Sequence, residues 1–158
     1  RSGKSRHAEV LVTACPPPWT YVATAQAFDD EMAARIAHHK ARRAEGWRTI
    51  ESPLDLAPTI AANEAPGAPL LIDCLTLWLS NVMLASRDVE AACRELIETL
   101  AAARGPIVAV SNEVGLGIVP DNALARAFRD AQGRLNQDVA ARADRVVLMA
   151  AGLPLTLK

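Results

Sequence analysis

No apolar run in these 158 residues approaches the roughly 20 needed to cross a bilayer, and nothing at the start of the sequence reads as a signal peptide. An excess of one charge is also missing. Seventeen basic residues stand against eighteen acidic ones, a net charge of -1, with no basic stripe, so neither a nucleic-acid backbone nor an anionic membrane is expected as partner. The three cysteines, Cys15, Cys74 and Cys93, are odd in number, widely spaced and without a C-x-x-C pair. That excludes a disulfide framework and a cysteine metal site, and points to free thiols in a reducing cytoplasm. Repeats, low-complexity tracts and linkers are absent as well, so one domain over residues 1–158 is expected, burying about two thirds of the surface the unfolded chain exposes. What remains, 51% hydrophobic and 22% charged residues, suits a globular protein whose partners are small ligands.

Four short segments read as strands buried on both faces: "WTYVATA", "PLLIDCL", "PIVAVSN" and "RVVLMAA". Helical patterns separate them. "FDDEMAARIAHHKARR" begins acidic and ends basic, complementing a helix dipole at both ends. "SRDVEAACRELIETLAAAR" spaces Val89, Cys93, Leu96 and Leu100 as one apolar stripe, and Gly105-Pro106 stops it. The longest pattern, "PDNALARAFRDAQGRLNQDVAARA", carries Leu124, Phe128, Leu135 and Val139 on one face, with Gly133 expected to weaken it locally. Alternating strands and helices predict an α/β fold with a mostly parallel central sheet flanked by helices. At the end, Gly152 and Pro154 predict a turn into a C-terminal antiparallel strand.

Four features carry chemistry. The opening "RSGKSRHAE" keeps the last part of the phosphate-loop pattern G-x-x-x-x-G-K-[ST]. Gly3 lets backbone N–H groups approach phosphate, Lys4 neutralises its β- and γ-oxygens, and Ser5 offers a hydroxyl to Mg²⁺ just before a helix whose dipole favours an anion. "LLID" puts Asp73 at the end of an apolar strand, where an acid organises the metal of such a site. His38 and His39 stand together late in the first long helix, with Lys40, Arg42 and Arg43 beyond them. A neutral imidazole can attack phosphorus and hold the product as a phosphoramidate, and neighbouring cations both favour the neutral ring and bind the triphosphate. His39 follows Met32 and Ile36 on the apolar stripe and His38 lies with Glu31, Arg35 and Arg42 on the polar one, so His38 is better placed to meet a ligand. Finally, "VSNEVGLGIVP" ends a strand in Asn112 and Glu113 with Gly115 and Gly117 after them, which reads as a site wall at the carboxyl ends of the sheet.

The stretches "RSGKSRHAE", "YVATAQAFDDEMAARIAHHKARRAEGWRTIE", "LLIDCLT", "SNEVGLGIVPDNALARAFRDAQGRLNQDVAARAD" and "AAGLPLTLK" resemble the bifunctional adenosylcobinamide kinase and adenosylcobinamide-phosphate guanylyltransferase family of cobalamin biosynthesis. The likeness covers nearly the whole chain. It implies a RecA-like P-loop NTPase fold, assembled as a homotrimer, with GTP and ATP as substrates and Mg²⁺ as cofactor. The implied reactions are phosphorylation of the aminopropanol hydroxyl of adenosylcobinamide, then transfer of GMP from GTP, through a histidine, to adenosylcobinamide phosphate. Carried onto this sequence, the guanylylated residue is His38, with His39 as the competing choice, and Lys4 is the catalytic lysine of the loop. The implied nucleotide contacts are Arg1, Ser2, Gly3, Lys4 and Ser5, then Thr24, Ala25 and Gln26, then His39, Lys40, Ala41 and Arg42, with Glu51 and Asp73 beyond. Ser5, Asp73 and Glu51 are the implied metal ligands.

Relatives carry a hydrophobic strand and a "GGA" ahead of the residue matched by Arg1, so the first strand and the start of the loop are expected upstream of this sequence, and residues after Ser86 are expected to be fewer than in some relatives. Two rival readings stand beside the family. One is a small-molecule kinase that uses the loop alone, the other a nucleotide-sensing switch without turnover.

Overall fold

The structure, a computed structural model, describes residues 2–26 and 45–158. The helix expected over residues 28–43 lies outside the described residues, as do Arg1, His38, His39, Lys40, Ala41 and Arg42. Helix α1 (Lys4–Thr13) comes first, followed by strands β1 (Trp19–Ala23) and β2 (Trp47–Glu51), helix α2 (Leu56–Asn63) and strand β3 (Leu70–Asp73). Next are α3 (Leu75–Leu84), α4 (Val89–Ala102), β4 (Ile107–Val110), α5 (Ala123–Arg142) and the strands β5 (Val147–Ala150) and β6 (Leu153–Thr156).

Strands β2, β1, β3 and β4 form one parallel sheet in that order. Side chains alternate across it, so each strand feeds two cores. On one face Ala8 and Val12 of α1 pack with Tyr21, Leu71, Cys74 and Val110. On the other, Val22, Leu70 and Ile72 meet Ile60, Trp78, Leu96 and Leu135 of α2 to α5. Burial on both sides is why the strand sequences are almost wholly apolar. The α4 stripe is as its spacing predicts: Leu96 is fully buried and Val89, Cys93 and Leu100 pack around it. Side-chain caps start the two long helices, with Asp88 Oδ1 accepting the Ala91 N–H and Asn122 Oδ1 accepting the Ala125 N–H.

Several expectations need correction. The fourth predicted strand does not join the parallel sheet. Among the described residues, β5 pairs with β6 alone, antiparallel, across a turn in which Ala151 and Gly152 have φ of 51° and 81°. Two positive φ angles suit the twist of a tight hairpin, and Pro154 lies within β6 rather than in the turn. Strand β2 was not foreseen, because Arg48 and Glu51 are exposed and break the apolar run at the sheet edge. The third strand stops at Asp73, and the apolar run continues as α3 from Leu75. Leu124 is exposed rather than part of the α5 stripe. That helix runs unbroken through Gly133.

Candidate functional site

Gly3 opens α1 with φ 93°, a left-handed conformation that costs glycine nothing and other residues dearly. Its Ser2 neighbour accepts the Gly152 N–H at 3.1 Å, which seats the β5–β6 turn against the loop. No side chain caps the first turn of α1 and no acidic residue lies in it. Lys4 and Ser5, both half-buried, occupy that turn. Uncapped N–H groups, the positive end of the helix dipole and a lysine together make an anion site.

The acids are brought to this side of the sheet by register. Ala23 of β1 pairs with Glu51 on one side and Asp73 on the other, so the two carboxylates project from the same face and level, with backbones about 9–10 Å apart. Leu71, two residues before Asp73, packs against α1, which fixes that face as the one carrying Gly3, Lys4 and Ser5. Tyr21 donates its phenolic O–H to Asp73 Oδ2 at 2.9 Å. A hydroxyl and a carboxylate are the hard oxygen donors that Mg²⁺ takes alongside phosphate and water, so Ser5 and Asp73 fit that ion. Among the described residues no group of three or more His, Cys, Asp or Glu forms a cage made of protein alone.

Beneath the carboxyl ends of the strands lies a floor of satisfied polar groups. Thr24, 0% exposed, donates its hydroxyl to the Cys74 carbonyl and accepts the Cys74 N–H. Asn81 Nδ2 donates to the carbonyls of Thr24 and Pro53 at 2.8 and 3.0 Å, joining the ends of β1 and β2. Thr24 was expected as a nucleotide contact, and its hydroxyl is spent holding Asp73's neighbour in place. Ala25 and Gln26 follow it, half-buried. Burial pushes the Cys74 thiol above its usual pKa.

The predicted wall after β4 is organised from α5. Asn136 Nδ2 donates to the Asn112 carbonyl at 3.0 Å and to Glu113 Oε1 at 2.8 Å, while its Oδ1 accepts from Ser111 Oγ and Gln132 Nε2. The Asn112 N–H donates to Thr76 Oγ1 at 2.9 Å, tying the wall to the start of α3, three residues beyond Asp73. Sequence reasoning missed Asn81, Gln132 and Asn136. For Asn81 the available signal was a polar amide inside the otherwise apolar "LTLWLSNVML", whereas Gln132 and Asn136 sit in a helix rich in Arg and Asp, where an amide does not stand out.

The profile of a family described as cobinamide kinase / cobinamide phosphate guanyltransferase matches residues 1–157. The chain is similar to the bifunctional adenosylcobalamin biosynthesis protein CobP of Pseudomonas aeruginosa, 48% identical over 160 residues that cover all of this chain and 92% of the relative. It is 46% and 43% identical to the bifunctional adenosylcobalamin biosynthesis proteins CobU of Salmonella typhimurium and Escherichia coli, over 173 residues covering all of this chain and 95% of each relative.

Proposed function

Because the chain belongs to the cobinamide kinase / cobinamide phosphate guanyltransferase family, we propose that one nucleotide-binding domain over residues 1–158 serves both reactions through the strand ends described above. The enzyme phosphorylates cobinamide and transfers GMP to the cobinamide phosphate, a step of adenosylcobalamin biosynthesis. The observation that carries the site assignment is the placement of α1's uncapped N-terminus, with Lys4 and Ser5, on the sheet face from which Asp73 projects.

In the kinase reaction the α1 N–H groups and Lys4 hold the β- and γ-phosphates of ATP or GTP, and Ser5 and Asp73, with Glu51 at the same level, would hold Mg²⁺. Bound there, the ion neutralises charge developing on the transferred phosphoryl group. Tyr21 fixes the Asp73 carboxylate, and the Thr24 latch fixes the backbone beside it. The hydroxyl of adenosylcobinamide attacks the γ-phosphorus in line, and the bond to the β-phosphate oxygen breaks.

In the second reaction a neutral His38 nitrogen attacks the α-phosphorus of GTP, pyrophosphate leaves, and GMP stays on the imidazole. An oxygen of adenosylcobinamide phosphate then displaces the histidine and yields adenosylcobinamide-GDP. His39, Lys40, Ala41 and Arg42 beside it, with Arg1, Ser2, Gly3, Ala25 and Gln26, complete the nucleotide contacts, while buried Thr24 holds the strand ends beneath them. A homotrimer in the cytoplasm is the assembly and compartment that fit this reading. It is supported by the family resemblance, by three free cysteines, and by the lack, among the described residues, of any helix long and apolar enough to cross a membrane.

Mass spectrometry after incubation with GTP and Mg²⁺ tests the assignment. A GMP adduct on His38, lost in His38→Ala with cobinamide phosphorylation retained, is the expected result. Label from α-labelled GTP persisting in His38→Ala would move the nucleophile to His39, and an unlabelled parent enzyme that still phosphorylates cobinamide would leave a kinase using the loop alone.

A further inference from the structure

Among the described residues, three glycines leave one surface without side chains and without any need of the fold. Gly115, Gly117 and Gly133 all have φ outside the left-handed region, and among the described residues, chain neighbours and local helix backbone aside, no atom lies within 4 Å of the Cβ each would carry as alanine. Gly133 sits in the middle of a 20-residue helix, where glycine is less stable than alanine. Neither backbone conformation nor packing accounts for it. Gly115 and Gly133 nevertheless line the same open cavity of about 340 Å³, together with Arg129, Asp130, Arg134 and Gln137. Directly after Gly115 the loop exposes Leu116 and Ile118 at 88% and 98%, with Val119 at 62%. Large apolar side chains so fully in solvent, next to a glycine-floored hollow, mark a binding surface.

We propose that this glycine-floored hollow and the Leu116–Val119 loop seat the corrin ring of the cobinamide substrate, an inference that rests on the activity proposed above. The location suits the occupant. The loop continues from Glu113, and Asn136, which holds the Glu113 carboxylate, lies one turn along α5 from Gly133. The hollow therefore abuts the carboxyl end of β4, the strand beside β3, on the α5 side of the sheet, and ligands of open α/β sheets gather outside the carboxyl ends of the strands. The chemistry suits it as well. A corrin ring is a broad plate with apolar faces and a fringe of carboxamides. Bare glycines permit close approach to such a plate, Leu116 and Ile118 cover apolar area, and Arg134 and Gln137 offer N–H donors to amide carbonyls. The ring is wider than the hollow, which takes one edge of it.

The test uses Gly133→Ala, Gly133→Leu and Ile118→Ser in the full chain. Adenosylcobinamide binding is followed by equilibrium dialysis through the corrin absorbance, nucleotide binding by a fluorescent GTP analogue, stability by thermal melting, and assembly by sedimentation. Gly133→Ala is expected to raise the melting temperature, as a helix-interior alanine should. Gly133→Leu and Ile118→Ser are expected to weaken adenosylcobinamide binding about tenfold or more, raising its KM, with nucleotide affinity and sedimentation unchanged. Ile118 is so exposed that its replacement leaves the fold intact, which keeps the result readable if Gly133→Leu fails to fold. Unchanged corrinoid affinity in an active enzyme overturns the subsite alone. Dissociation of the assembly overturns it in favour of an interface between copies of this chain. A parent enzyme that neither binds nor phosphorylates cobinamide overturns the activity and the subsite together.

Discussion

Thr24 Oγ1 donates to the Cys74 carbonyl at 2.7 Å and accepts the Cys74 N–H at 2.8 Å, so one buried hydroxyl closes the carboxyl end of β1 onto that of β3. The Thr24 N–H also donates to the Asp73 carbonyl at 3.3 Å. Through this latch the position of the Asp73 carboxylate is set by the neighbouring strand as well as by its own. Thr24→Val keeps the shape and strands the Cys74 N–H, while the Cys74 carbonyl keeps the Trp78 N–H at 3.1 Å. A loss of about 1–3 kcal/mol in urea unfolding is expected, with Thr24→Ser close to the parent. Cobinamide phosphorylation should fall in the valine variant even where it is fully folded.

Tyr21→Phe removes the hydrogen bond to Asp73 Oδ2 and leaves the ring against Trp47. Stability should change by about 1 kcal/mol or less. The Mg²⁺ concentration for half-maximal kinase turnover should rise roughly tenfold, as is common when a partner of a ligating carboxylate is lost. An unchanged Mg²⁺ profile would take Asp73 out of the metal site.

Glu64 Oε2 accepts the backbone N–H groups of Arg104 and Gly105 at 2.8 and 3.1 Å. The hydrogen bond from Arg104 chiefly, then that from Gly105 and the Arg104 charge, hold its carboxyl below the usual range despite partial desolvation. A depressed pKa in the folded state stabilises it fully above the ordinary carboxylate value. The gain disappears as pH falls from there through the depressed value. Urea midpoints of the parent and Glu64→Gln should therefore differ at pH 7 and converge on acidification; parallel curves would refute the role.

Gly105 is glycine because of a close approach. A Cβ there would lie 2.2 Å from the Ala65 carbonyl oxygen and 2.9 Å from its carbon. Both partners are backbone, held by the Glu64 grip, so neither can yield cheaply. Gly105→Ala should cost about 2–3 kcal/mol by denaturant titration, and Gly133→Ala, with open space, should show the opposite sign.

Local patterns made much of this protein legible. Leu70 to Asp73 is apolar because both sheet faces are covered, and the stripe from Val89 to Leu100 has the period of a helix with one buried side. Gly3, Lys4 and Ser5 match the end of the phosphate-loop pattern, and the positive φ of Gly3 and the uncapped start of α1 accord with that reading, since both are local properties. Strand β2 escaped notice since an edge strand with Arg48 and Glu51 in solvent carries half of an apolar signal. The antiparallel pairing of β5 with β6 was legible from the turn residue Gly152, whereas that β5 stays off the parallel sheet depends on which edge the chain meets, and composition is silent on that.

The sequence by itself determined the elements with strong periodicity, the Gly-Lys-Ser opening of α1 and the acid at the end of β3, because each follows from neighbours a few residues apart. Only the tertiary structure decided that Glu51 and Asp73 flank Ala23 at one level and face α1. Only the fold, likewise, spent the Thr24 hydroxyl on Cys74 and directed Asn136 to Glu113. Those relationships join residues 22 or more positions apart. Sheet register and the need to satisfy every buried polar group fix them, and neither constraint is written in any local stretch of chain.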